Sequence, residues 1–223
     1  MKYDLIRSRR KTAALHIKNG ILEVRAPLKM PKSEIDKFIA NNQDWILTRL
    51  NQSKAQQATR DNFALDYGSY VRCRGNNCVI TARNGSQLGY EPGIFYMPPN
   101  LNSYQIKEAS IQIYRLLAKH HIPKRTAIIA DAMKLSPSAV KINGAQKRWG
   151  SCSSKKSLNF SWRLMMADDD AIDYVIIHEL AHLIELNHSQ RFWAIVEKFL
   201  PDYKIRRAKL TELQRQLSTE NWD

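Results

Sequence analysis

Three of the chain's six histidines fall in one short run, His178-Glu179-Leu180-Ala181-His182-Leu183-Ile184-Glu185-Leu186-Asn187-His188. Residues four apart share a face of an α-helix, so His178 and His182 can aim imidazole nitrogens at a single ion. That is the spacing of a zinc site. Glu179, one position on, can reach a water on such an ion without being a ligand, the place of a general base. These residue types therefore imply hydrolysis by an activated water. Independent placement of the chain's own His and Glu residues yields this pentad in roughly 0.6 % of shuffled sequences, so chance explains it poorly.

His188 is the third candidate ligand, and it constrains the backbone. On a straight helix it would point roughly 80° away from His178 and 120° from His182. The helix must therefore break before it. Asn187 is the expected breaking point, since Asn tolerates the left-handed conformation that ends many helices. Ser189 can then cap a following helix over 190–200. The expected site is Zn²⁺ on His178, His182 and His188, with a water in the fourth position. Glu185 has two readings: an acceptor that orients a ligand imidazole, or an exposed helix carboxylate.

The elements that hold these groups are also legible. Asp168, Asp169 and Asp170 supply a helix cap and first-turn negative charge, and Ala171-Ile172-Asp173-Tyr174-Val175-Ile176-Ile177 with Leu180, Leu183 and Ile184 supply an apolar stripe. Leu158, Phe160, Trp162 and Leu164 alternate with Asn159, Ser161 and Arg163, a strand pattern. Between Val140-Lys141-Ile142 and that strand, Arg148-Trp149-Gly150-Ser151-Cys152 reads as a turn approaching the cleft. Arg148 can hold a substrate carbonyl or carboxylate through its forked donors, and Trp149 reads as packing. Cys152 is either a soft ligand on the zinc or a small buried residue.

Lys147-Arg148-Trp149-Gly150-Ser151-Cys152, Leu158–Leu164, the histidine run with Asn187-His188-Ser189, and Phe192-Trp193 together resemble the YgjP-like metallopeptidase family over most of the chain. That family is similar to the SprT-like and WLM metallopeptidases of the zincin group. The resemblance implies a zinc-dependent peptidase acting on protein or peptide substrates, in an α+β fold whose small antiparallel-rich sheet packs on the His-Glu-x-x-His helix. It also implies an extended substrate paired with the strand beside that helix, a role for which Leu158–Leu164 is the candidate. The ligand spacing matches metzincins too, but Glu185 stands where their glycine would be and no methionine follows Met166.

Elsewhere, Asn19-Gly20 between two apolar runs signals a hairpin. Ser33 can cap one helix to about Ser53, and 52–61 reads as a loop or frayed helix end. Residues 63–97 read as short antiparallel strands. Pro98-Pro99-Asn100 marks a boundary, giving an N-terminal β-rich lobe with one helix over 1–98 and a zincin-like metallopeptidase lobe over 99–223. A helix from Ser103 to about His121 is expected to end before Pro123, with another over 125–133 and two more over 190–200 and 202–217. His120 and His121 then sit at a helix C-terminus, which suits their charge. His16 has no companion ligand, and Cys73 and Cys78 read as buried or incidental thiols.

The 43 % hydrophobic content excludes global disorder. No secretory signal is visible in residues 1–10, no apolar run reaches membrane-spanning length, and three cysteines fit a reducing compartment. A cytoplasmic protein without membrane association is expected, and its oligomeric state is unknown from sequence. The net charge of +14, about +8 of it in residues 1–100, raises a second expectation, weak nucleic-acid binding near Lys147, Arg148, Lys155 and Lys156. The rival to the hydrolase is thus a basic nucleic-acid-associated protein with a structural or vestigial zinc site.

Overall fold

The computed structural model describes residues 2–18 and 20–222. These described residues form two compact units, one of 2–18, 20–63 and 217–221 and one of 64–216 with Trp222. The architecture is α+β, and no helix among the described residues is long and apolar enough to cross a membrane.

In the first unit, β1 (Tyr3–Ser8) and β2 (Ala14–Lys18) flank β3 (Ile21–Pro27), β1 parallel to it and β2 antiparallel. The β2–β3 hairpin is the one signalled by Asn19-Gly20, although Asn19 itself lies outside the described residues. Period-2 alternation sends Leu22, Val24 and Ala26 into a core with Ile35 of α1 (Lys32–Asn41) and Ile46 of α2 (Gln43–Asp61). The single helix expected here is thus two. At the break, the Asn42 side-chain amide donates to the Phe38 carbonyl at 2.8 Å, a local bond that competes with continued helix. Pro31, not Ser33, precedes the first helix, and α2 continues through the polar stretch 52–61.

The second unit begins with a four-stranded sheet, ordered β4 (Tyr70–Cys73), β5 (Asn76–Ala82), β7 (Ile94–Met97), β6 (Gly89–Glu91). The β5–β7 pair is parallel and the other two are antiparallel. Next comes α3 (Ser103–Met133), opened by a capping box between Asn102 and Gln105 and closed by Lys134 in the left-handed conformation. Pro123 lies inside α3 and does not end it. Losing one helical hydrogen bond there costs about 3 kcal/mol, which is offset by burial of Ile122, Thr126, Ile129, Ala130 and Met133 around and beyond it. His120 and His121 therefore sit mid-helix, and the helix-end explanation of both is replaced by a contact of His120 with Lys124 and partial burial of His121.

The boundary suggested by Pro98-Pro99-Asn100 falls within this unit. The reason is aromatic packing: Tyr114 of α3 meets Phe95 of β7 at 5.0 Å and stacks on Trp162 at 5.6 Å. The four-stranded sheet and the helix after it thus share one core.

A three-stranded sheet follows, ordered β8 (Ala139–Asn143), β10 (Ser157–Ser161), β9 (Gly150–Cys152), with β8 parallel and β9 antiparallel to β10. The strand ends at Ser161, and Trp162–Met166 forms a buried 3₁₀ turn. Because β10 is paired on both sides, it has no edge to offer a substrate, which corrects the role given to Leu158–Leu164. The chain closes with α4 (Asp169–Ala181), α5 (Gln190–Phe199) and α6 (Tyr203–Leu217).

Candidate metal centre

Helix α4 carries the first two histidines, and it is fixed at its start by charge. Asp168, the N-cap residue, pairs with Arg72, and Asp169 pairs with Arg74. Asp170 pairs with Lys209 of α6, and Asp173 is gripped by both ends of the Arg125 guanidinium at 2.6 and 2.7 Å. The acidic cluster thus both suits the helix dipole and ties α4 to its neighbours. Ala171, Ile172, Val175, Ile176, Ile177, Leu180 and Ala181 are buried, so the helix is enclosed on most of its circumference.

The break comes earlier than Asn187. Helix α4 ends at Ala181 with His182 as its C-cap, and turns closed by Leu183, Ile184 and Glu185 amides follow. Asn187 is not left-handed. It acts instead through its side chain, whose Oδ1 accepts the Ser189 amide at 3.0 Å, and Ser189 in turn caps α5 by accepting the Phe192 amide. This turn chemistry swings His188 back over the end of α4.

The three imidazoles converge. One ligating nitrogen from each of His178, His182 and His188 lies within 4.8 Å of the others, and the Nε2 atoms of His178 and His188 are 3.0 Å apart. Ligands about 2.0–2.1 Å from a tetrahedral ion stand roughly 3.3 Å from one another, so this pair is near ligand spacing. His182 Nδ1 meets the Glu185 carbonyl at 3.0 Å. Donation to that carbonyl leaves Nε2 of His182 as its lone-pair nitrogen. Between the two readings of Glu185, its main-chain oxygen does the orienting. Phe192 is fully buried and lies 4.5 to 4.9 Å from all three imidazole rings, while Trp193 stacks on His188. Burial, with the neighbouring imidazoles and Arg207, holds His178 down to about 3, so it stays a neutral donor.

Glu179 is 5 % exposed. It is pushed up to about 7 by burial, with the positive charge of Arg148 opposing. Its Oε2 is buried and without a hydrogen-bond partner among the described residues. Space for the carboxylate exists because residue 150 is glycine: a Cβ there would stand 2.6 Å from Glu179 Oε1. Beside these groups opens a cleft of about 400 Å³ that Arg148, Tyr174, His178, Glu179 and Arg207 help to line. Cys152 lies outside the histidine group, so it is not a fourth ligand; its thiol is partly buried, which raises it above the ordinary range together with the charge of Glu179.

Strand β9 forms the open edge of the small sheet. The Trp149 carbonyl accepts the Ser161 amide and the Ser153 amide donates to the Ser157 carbonyl, so 149, 151 and 153 face β10. The main-chain groups of Gly150 and Cys152 therefore point outward, on an edge that no strand among the described residues occupies. Neither this edge nor Arg207 had a local signal: the edge follows from strand order, and Arg207 reaches the cleft from a helix whose sequence reads as a solvated face.

The family described as YgjP-like, metallopeptidase domain, matches residues 11–213. Among solved structures the chain is similar to the metallopeptidase zymogen of Pyrococcus abyssi abylysin, at 23 % identity and a TM-score of 0.39 over 45 % of this chain and 97 % of that one. It is also similar to the zymogen of Methanocaldococcus jannaschii jannalysin, at 21 % identity and a TM-score of 0.37 over 43 % and 96 %. No curated protein sequence matches.

Proposed function

The chain belongs to the YgjP-like metallopeptidase family, and on that premise we propose that it cleaves peptide bonds with a metal held by His178, His182 and His188 and with Glu179 as general base. The observation that carries this reading is the meeting of three imidazoles beside a buried carboxylate whose Oε2 has no partner. Three imidazole nitrogens suit Zn²⁺, and the carbonyl of Glu185 on His182 is the outer support that zinc-binding histidines use. Zinc held there supplies Lewis acidity to a water and to the scissile carbonyl.

The chain's own residues do the rest. Glu179 takes the proton of the attacking water on its carboxylate and returns it to the leaving amine. Its buried Oε2, which has no hydrogen-bond partner among the described residues, is free to take that proton. Arg148 and Tyr174, which line the same cleft, hold the carbonyl oxygen as charge develops. The outward main-chain groups of Gly150 and Cys152 pair with an extended substrate, which requires no sequence motif. This moves the pairing role from Leu158–Leu164 to the neighbouring edge strand.

The test is Glu179→Gln. This variant keeps the metal and loses hydrolysis of unfolded protein and quenched peptide substrates; undiminished turnover would remove Glu179 from the mechanism.

A further inference from the structure

The cleft beside Glu179 carries a charge that hydrolysis alone does not require. Lys147, Arg148 and Arg207 all line it, and its one acidic lining residue is Glu179 itself. Cations around the start of α4 are treated differently: Arg72, Arg74, Arg125 and Lys209 each pair with an aspartate. Among the described residues, no carboxylate pairs with Lys147, Arg148 or Arg207.

Arg207 is also held in place. Its guanidinium lies 5.6 Å from the centroid of the Trp193 ring, and that ring stacks on His188 at 5.8 Å and on Tyr203 at 5.2 Å. The cation thus sits one ring away from the histidine cluster, while Arg148 acts on Glu179 from its own position on the cleft. A guanidinium resting against an aromatic ring carries a planar fork that matches a carboxylate. Three like charges around one cleft repel each other, and an anionic guest relieves that repulsion while a cationic one adds to it.

We propose that this cleft recognises a carboxylate of the substrate, an acidic side chain or a free C-terminus within a residue or two of the scissile bond, and that Arg207 sets this preference. The inference rests on the peptidase reading above and names the substrate class of that site.

The experiment uses quenched peptides identical except for Glu or Gln flanking the scissile bond, each made with a terminal carboxylate and with a terminal amide. Turnover is measured on the zinc-loaded wild type, and binding by fluorescence polarisation on zinc-loaded Glu179→Gln. Carboxylate-bearing peptides bind and turn over about tenfold better than their neutral isosteres, the size of one charge-assisted contact. The preference disappears in Arg207→Gln and is weakened but retained in Arg207→Lys, which keeps the charge without the fork, a pattern that loss of folding would not give. If it follows the Glu side chain the source is an acidic residue, and if it follows the terminus the source is the free C-terminus. Equal treatment of all four peptides by wild type overturns the proposal while leaving the peptidase standing. Selective binding without any turnover removes the peptidase reading and keeps the carboxylate site. Displacement of the acidic peptide by a single-stranded DNA oligonucleotide at concentrations below the peptide's own Kd overturns the proposal in favour of nucleic acid.

Discussion

Substituting Gly150 by alanine tests how closely the edge strand and the Glu179 carboxylate, the proposed general base, are fitted together. The residue has no positive φ, so alanine is not excluded by its backbone. The obstacle is space: the added Cβ would meet Glu179 at 2.6 Å from Oε1, 2.7 Å from Cγ and 2.9 Å from Cδ. Ordinary contact begins at about 3.4 Å, so either the carboxylate or the strand must retreat by roughly 0.8 Å. Glu179 is buried and cannot swing freely into solvent. Overpacking of this kind costs about 1–3 kcal/mol, which lowers Tm by about 2–10 °C for a protein of this size. A catalytic group displaced by that distance costs about a hundredfold in kcat. The three atoms nearest the added Cβ all belong to Glu179 and none to a histidine, so metal content is expected to be unchanged. The assay is steady-state cleavage of a quenched peptide by zinc-loaded protein, with metal content and Tm measured on the same preparation. A Gly150→Ala enzyme within twofold of wild type in kcat and unchanged in Tm would refute this picture of the site.

Two further predictions concern proton binding by the metal-free protein. A carboxyl raised from its ordinary value to about 7 binds protons in the fold that it releases in the unfolded chain. Its contribution is present below about pH 4.5 and is lost as pH rises through 7. Metal-free Glu179→Gln is therefore more stable than metal-free wild type at pH 8, by about 3 kcal/mol at most, and equal to it near pH 4. Urea unfolding at the two pH values measures this, and equal midpoints at pH 8 would count against a desolvated carboxylate. His178, held down to about 3, and His121, lowered chiefly by burial, have the opposite sign. The unfolded chain takes up protons that the fold refuses, so metal-free Glu179→Gln loses stability as pH falls from about 6.5 to 5, and a flat profile across that window would contradict the assigned burial.

The candidate site is legible where its geometry follows from local spacing. His178, Glu179 and His182 are placed by one helical turn, and His188 by the demand that the chain reverse before it. The hairpin of β2 and β3 and the capping of α5 by Ser189 follow from side-chain chemistry that acts within three residues. What depends on neighbours distant in sequence was not legible. Pro123 looks like a helix end until the burial of Ile129 and Met133 is known. Leu158–Leu164 looks like a substrate strand until β8 and β9 are seen on its two sides. Asn187 was identified as the residue that shapes the reversal, but it works by accepting the Ser189 amide and not by a left-handed backbone. Arg207 carries no signal at all in its own helix, because its role comes from Trp193 beneath it.

The central claim is that His178, His182 and His188 hold one metal ion beside Glu179, and the most direct measurement is metal per chain by elemental analysis. Wild type and His188→Ala are purified without added metal and then dialysed against buffer that holds free zinc at a low, fixed concentration. The account predicts close to one zinc per chain in the wild type and a clear loss in the variant, with Glu179→Gln retaining wild-type content. A wild type that remains metal-free when zinc is supplied, or a His188→Ala protein that binds it equally well, would contradict the account.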